Sequence, residues 1–192
     1  MNAKCSYIFP TPILQRDSED LLNKQLITNV LDLIQKHGSN PFYSPCISTI
    51  KNLKNVLLLP ELIEIQSFIV ECISTYCEFA KIEKNGLYIS DSWLNLYNEH
   101  GYQDLHTHED SVLSGVFYLE ANNKSDLVFQ APWHFFQPTY AKFTETDLNN
   151  CHNLEYQSVA GRCYIFPSHL MHRTLPTKDR RISLSFNVRH DR

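Results

Sequence analysis

Arg181-Ile182-Ser183-Leu184-Ser185-Phe186-Asn187-Val188 alternates polar and apolar residues without a break. Successive side chains of a β-strand point to opposite faces, so Ile182, Leu184, Phe186 and Val188 share one face and Arg181, Ser183 and Ser185 the other. The apolar face calls for a core. An arginine turned inward on the other face calls for a carboxylate. Upstream, His106-Thr107-His108 follows the same period, which lets two imidazoles reach one point in space as a chelate. His172, between Pro167 and Pro176 in a segment poor in helix signals, is the candidate for a third ligand from a distant strand.

The chain of 192 residues suits one domain with a substantial core and is short for two. Apolar residues make up 43% and charged residues 20%, an ordinary globular balance. A formal net charge of −4, with no basic run beyond Lys178-Asp179-Arg180-Arg181, argues against nucleic acid as a partner. No apolar run approaches the length of a membrane span, so no membrane partner is expected. Met1 to Asp17 lacks the sustained apolar core and small-residue site of a secretory signal. The six cysteines include no Cys-x-x-Cys pair, and reduced thiols in the cytoplasm are expected.

In chain order, residues 1–16 read as an extended lead-in, with prolines after Tyr7-Ile8-Phe9 that forbid helix. Asp17 or Ser18 can cap a first helix, whose apolar stripe is Leu22, Leu26, Val30 and Leu33 and which Gly38 ends. Residues 38–59 wander, with a short strand expected over Val56 to Leu59. Pro60 takes the first helical position of a second helix with the stripe Leu62, Ile65, Ile69, Cys72 and Tyr76. After Asn85-Gly86 the period becomes two. Strands are expected over Tyr88 to Tyr97, Gln103 to His106, Val112 to Glu120, Asp126 to Phe129, Gln157 to Val159, Arg162 to Phe166 and Arg181 to Arg189, with hairpin turns at Asn122-Asn123 and Ala160-Gly161. The pattern is α+β: a double-stranded β-helix (jelly roll, cupin-like) buttressed by N-terminal helices. Residues 1–192 form one domain, with lead-in and supporting helices in 1–87 and the roll in 88–192. An insertion at 132–157, carrying Trp133, His134, Phe135, Phe136, Tyr140 and Phe143, is expected to wall or cover the pocket. No internal repeat is visible.

His106-x-His108-x-x-Ser111-x-x-Ser114-Gly115-x-x-Tyr118-Leu119, with Gly161, Ile165-Phe166-Pro167-Ser168, His172 and Arg181-Ile182-Ser183-Leu184-Ser185-Phe186-Asn187, resembles a subfamily of iron(II)/2-oxoglutarate-dependent oxygenases of bacteria and phages. Even Phe9-Pro10-Thr11-Pro12 is similar to that subfamily's start. The resemblance spans nearly the whole chain. It implies Fe(II), 2-oxoglutarate as cosubstrate, O2, and release of succinate and CO2, with a hydroxylase as the expected outcome and a small molecule or peptide as substrate. Arg181 would grip the far carboxylate of oxoglutarate, because guanidinium offers paired planar donors, with Ser183 assisting. Asn95 and Tyr97, on one face of the strand before the histidine pair, and Tyr118 on the strand after it are further cofactor-binding candidates. The usual triad of that superfamily has an acid two residues after the first histidine, and here that slot is His108. Two ligand sets compete: His106, His108 and His172, or His108, Asp110 and His172. The first matches the subfamily pattern, and Asp110 falls where the chain should turn. His134 and His169 are lesser rivals for the metal; His100 and His190 read as surface residues, and Ser114-Gly115 as a close-packing device.

Two other readings stand beside this one. A cupin-like enzyme could use a three-histidine metal on a directly bound substrate without oxoglutarate, and a non-catalytic roll could grip a peptide or sugar through its aromatic insertion. Arg181 separates the first of these from an oxoglutarate enzyme, and metal binding separates the second.

Overall fold

The computed structural model describes residues 10–41, 44–132, 143–145, 147–148 and 150–191, with the side chains of 123–126 left aside. Ten strands form two antiparallel sheets among the described residues. They are β1 (Leu14–Asp17), β2 (Cys46–Ser48), β3 (Leu87–Tyr97), β4 (Gln103–His106), β5 (Leu113–Glu120), β6 (Asn122–Gln130), β7 (Asn153–Val159), β8 (Arg162–Pro167), β9 (His172–Thr174) and β10 (Arg181–His190). The large sheet runs β1-β8-β5-β10-β3-β2 and the small one β4-β9-β6-β7. From β3 onward the chain repeatedly crosses between sheets, which makes a jelly roll.

Two helices, α1 (Lys24–His37) and α2 (Ile63–Ala80), cover the outer face of the large sheet. Ile182, Leu184 and Phe186 of β10, Leu94 of β3, Phe117 of β5 and Ile165 of β8 are all fully buried against Val30, Ile34, Ile65, Ile69 and Cys72 of the helices. Each such side chain contributes roughly 1.5–3 kcal/mol, so this layer fixes which face of β10 looks inward. A smaller cluster of Tyr118, Leu127, Phe129, Tyr164, Phe166 and Leu170 fills part of the space between the sheets. No helix among the described residues is long and apolar enough to cross a membrane. Cys46, Cys72, Cys77, Cys151 and Cys163 are free thiols.

Several local expectations are corrected. Asn23, not Asp17 or Ser18, caps α1, accepting from the Leu26 N–H at 2.9 Å. Asp17 instead grips Arg162 through two hydrogen bonds of 2.7 Å, which leaves it no role at the helix end. Val56–Leu58 is a 3-10 turn rather than a strand, its amide at Leu57 held by the Ser92 hydroxyl. Asn122 and Asn123 belong to β6 and make no hairpin, because β5 and β6 lie in different sheets and the chain crosses at Ala121. Ala160-Gly161 is a turn, again between sheets. Gly161 has φ +82° there, and a Cβ would stand 2.9 Å from the Glu19 backbone. The insertion shrinks at its end, since β7 starts at Asn153; residues 133–142, with Trp133, His134, Phe135, Phe136 and Tyr140, lie outside the described residues, and Phe143 is exposed.

Gly115 lies opposite Phe186, whose ring occupies the place a Cβ would take, 2.2 Å from the nearest ring carbon. Gly115→Ala should therefore cost about 1–3 kcal/mol in urea unfolding through overpacking. Arg162 holds the Asp17 carboxyl below its ordinary pKa, chiefly by hydrogen bonding. A depressed carboxylate stabilises the fold above its unfolded pKa and loses that contribution as pH falls through its folded one. Asp17→Asn should cost about 0.5–1 kcal/mol at neutral pH, discounted for partial exposure, and its thermal melts should converge on those of the wild type in acid.

Candidate metal centre

β4 and β9 pair so that His106 stands directly opposite His172. Cross-strand neighbours have adjacent side chains, and these two rings lie 4.3 Å apart between centroids. His108 sits just past the end of β4, where its N–H donates to the Ser168 carbonyl at 3.0 Å. The ring centroid of His108 is 5.0 Å from that of His106 and 5.2 Å from that of His172. Their ligand atoms all fall within 4.8 Å of one another. His108 lies outside the strand proper, so a turn brings it beside His106.

The rings are oriented from behind. Nδ1 of His106 lies 2.6 Å from the Asp104 carbonyl, and Nδ1 of His172 lies 2.8 Å from the Leu170 carbonyl. A carbonyl can only accept, so each Nδ1 carries the proton and each Nε2 lone pair is free to bind. Burial, joined by repulsion between the imidazoles, pushes the His172 pKa down to about 3 and that of His108 to about 4, and burial lowers that of His106. All three are therefore neutral near pH 7, the form that ligates. Three neutral imidazoles without a thiolate fit a divalent first-row metal such as iron(II). Asp110 is exposed at φ 61°, in a left-handed turn that leads into β5, and stands outside the cluster. The set His108, Asp110 and His172 is thus not assembled. His169, His100 and His190 are exposed, and His134 lies outside the described residues.

The cluster opens on a cavity of about 330 Å³ between the sheets, lined also by Arg181, Ser183, Asn95, Tyr97 and Tyr118. Arg181 is 1% exposed, and its Cζ stacks 4.3 Å above the Tyr97 ring. Its Nη2 donates to Thr174 Oγ1 at 3.1 Å, while its buried Nε and Nη1 have no acceptor among the described residues. Among the described residues no carboxylate pairs with it. A guanidinium stripped of water and counter-ion costs several kcal/mol, which an incoming anion would relieve. Asn95 and Tyr118 lie opposite Ser183 on the strands to either side of β10, and Tyr97 opposite Arg181. The Asn95 amide donates to Ser185 Oγ at 3.2 Å, and its buried Oδ1 has no donor among the described residues. Burial raises the Tyr97 hydroxyl pKa, so it stays protonated.

Other residues of the site were missed at the level of sequence. Thr174 fixes Arg181 and follows His172 by two, so the rule that grouped His106 with His108 could have found it. Trp93 and Asp91, on the same face of β3 as Asn95 and Tyr97, also line the cavity, and the Trp93 ring is 6.0 Å from that of His108. Ser168 could not be found in that way. Its hydroxyl lies 2.8 Å from that of Ser114, which donates to Asn187 Oδ1, and this buried chain anchors the turn whose carbonyl holds His108.

No curated protein matches the sequence. A prolyl-4-hydroxylase from Pseudomonas putida is similar in structure, with a TM-score of 0.64 at 14% identity over 94% of each chain. HygX from Streptomyces hygroscopicus, solved with nickel, 2-oxoglutarate and hygromycin B, gives a TM-score of 0.62 at 9% identity, covering 94% of this chain and 83% of that one. A Trichoplax adhaerens prolyl hydroxylase in complex with a peptide fragment of hypoxia inducible factor gives 0.59 at 12% identity, over 93% and 83%. These likenesses show the fold. Residues 91–187, which hold the histidine cluster and Arg181, match the family model described as "Putative 2OG-Fe(II) oxygenase". The chain belongs to this family, and is an iron(II)- and 2-oxoglutarate-dependent dioxygenase.

Proposed function

We propose that the protein hydroxylates an amino acid, a protein side chain or a small metabolite, with His106, His108 and His172 holding iron(II) and Arg181 receiving the far carboxylate of oxoglutarate. Arg181 carries this reading: two buried N–H groups without acceptors among the described residues stand in the cavity that the three histidines wall. The bound metal would let oxoglutarate and O2 react with a substrate C–H bond, giving succinate, CO2 and a C–OH group, with one oxygen atom in succinate and the other in product. The chain's own part is to bind and aim. Thr174 and the Tyr97 face hold the guanidinium plane still, so its free edge meets a carboxylate without reorganising. The Ser183 hydroxyl offers a further donor, and Asn95 and Tyr118 complete the polar wall. Phe166 and Phe129, with ring centroids 4.7 and 6.1 Å from that of His172, keep water from the buried side of the histidines. The free thiols are in keeping with a reducing cytoplasm, which would also preserve ferrous iron.

Arg181→Ala should weaken oxoglutarate binding to the Mn(II)-loaded protein by roughly 30-fold to 1,000-fold, the equivalent of about 2–4 kcal/mol for a buried charge pair. Arg181→Lys should recover only part of this, since an ammonium lacks the planar fork. Calorimetry reads both. His172→Ala should abolish stoichiometric Mn(II) binding while Asp110→Asn leaves it intact; the reverse would restore the acid-containing triad. Succinate release that does not depend on added oxoglutarate would overturn the reading.

A further inference from the structure

The cavity has a second charged end. β10 carries Arg181 at one end and Arg189 eight residues further on, roughly 25 Å along the strand. Asp91 on β3, Lys54 and Ile50 line the cavity with Arg189. Pairing of β3 with β10 slips here: Asn187 faces Asp91 and Val188 faces Ile89, which leaves Ser90 as a bulge. Bulges re-aim side chains beside binding sites. The Ser90 hydroxyl then donates to Asp91 Oδ2 at 2.8 Å and holds that carboxylate in place.

The charges at this end are incompletely matched. Arg189 Nη2 stands 4.0 Å from Asp91 Oδ2, an ionic contact without a hydrogen bond, and the buried Arg189 Nε has no acceptor among the described residues. Lys54 is exposed and forms no ion pair among the described residues. A lone anion would be drawn by Arg189 and Lys54 but repelled by Asp91, and a lone cation would leave the Arg189 Nε unmet. A residue inside a polypeptide brings neither charge on its backbone. An α-amino acid carries an ammonium and a carboxylate on one carbon, opposite charges spaced as closely as Asp91 and Arg189.

We propose that this end binds the head group of a free α-amino acid, its carboxylate on Arg189 and Lys54 and its ammonium on Asp91, with the side chain passing Trp93 toward the histidines. This rests on the reading above, in which the Arg181 end takes oxoglutarate. It narrows the substrate from three classes to one, and a cavity of about 330 Å³ is of small-molecule size.

The test uses the full chain with Mn(II) and saturating oxoglutarate under argon, titrated calorimetrically with the standard L-amino acids and with the N-acetyl methylamide of each one that binds. At least one free amino acid should bind, and its blocked form should bind at least about tenfold more weakly, as loss of close charge pairs requires. Arg189→Gln should weaken binding by a similar factor, and the exposed Lys54→Gln should weaken it by less, with melting curves reporting that each variant folds. Asp91→Asn should weaken the amino acid while sparing the corresponding carboxylic acid without its amino group. Binding of no free amino acid, equal binding of the blocked form, or an affinity in Arg189→Gln within about twofold of the wild type would each overturn the proposal. Failure of the unaltered protein to bind oxoglutarate would instead remove the earlier reading, and this one with it.

Discussion

One strand cannot turn over without moving every side chain it carries. Ile182, Leu184 and Phe186 of β10 are locked into the layer beneath α1 and α2, and Arg181, Ser183, Ser185 and Asn187 are consequently committed to the opposite side. β3 and β5 flank β10 and obey the same constraint, so Tyr97, Asn95 and Tyr118 converge on the cavity by register alone. The helices thus act on the site without touching it. Their apolar stripes hold the large sheet in the one orientation that buries a guanidinium.

The small sheet supplies the other half by a different device. His106 and His172 meet because β4 and β9 pair across from one another, and the backbone carbonyls of Asp104 and Leu170 choose their tautomers. His108 depends on a turn rather than on pairing. Its amide is tied to Ser168, and the Ser114-Ser168-Asn187 chain carries that tie back into the large sheet. The candidate site is therefore a joint between two sheets, and its precision rests on both.

The long alternating strands and the two helical stripes were readable from the chain alone, because each repeats its period several times. β2 and β9, at three residues, are too short to display a period, and the 3-10 turn at Val56–Leu58 is an apolar run whose backbone bonds decide its shape. Helix α1 started later than expected because Asp17 had a stronger partner in Arg162, a contact between residues far apart in sequence. Asn122-Asn123 and Ala160-Gly161 carry the turn chemistry of hairpins, which does not record that the next strand lies in the other sheet. At the site, the histidines and Arg181 stand out by residue type and Thr174 shares the period of His172, whereas Ser168 acts through hydrogen bonds that no spacing announces. The left-handed conformation of Asp110 is a backbone property that the sequence shows only as a residue tolerant of it.

The solitary Arg181 cation has a bearing on how long the molecule lasts. Among the described residues the fold shuts this positive charge away from water and offers it no counter-ion, and a ligand that supplied one would add RT ln(1 + [L]/Kd) to the resistance to unfolding. With the assignment of Arg181 to oxoglutarate, the supply of one central carbon metabolite would govern the protein's survival against proteases as well as its turnover. When that metabolite was scarce, the idle enzyme would also be the one most readily degraded.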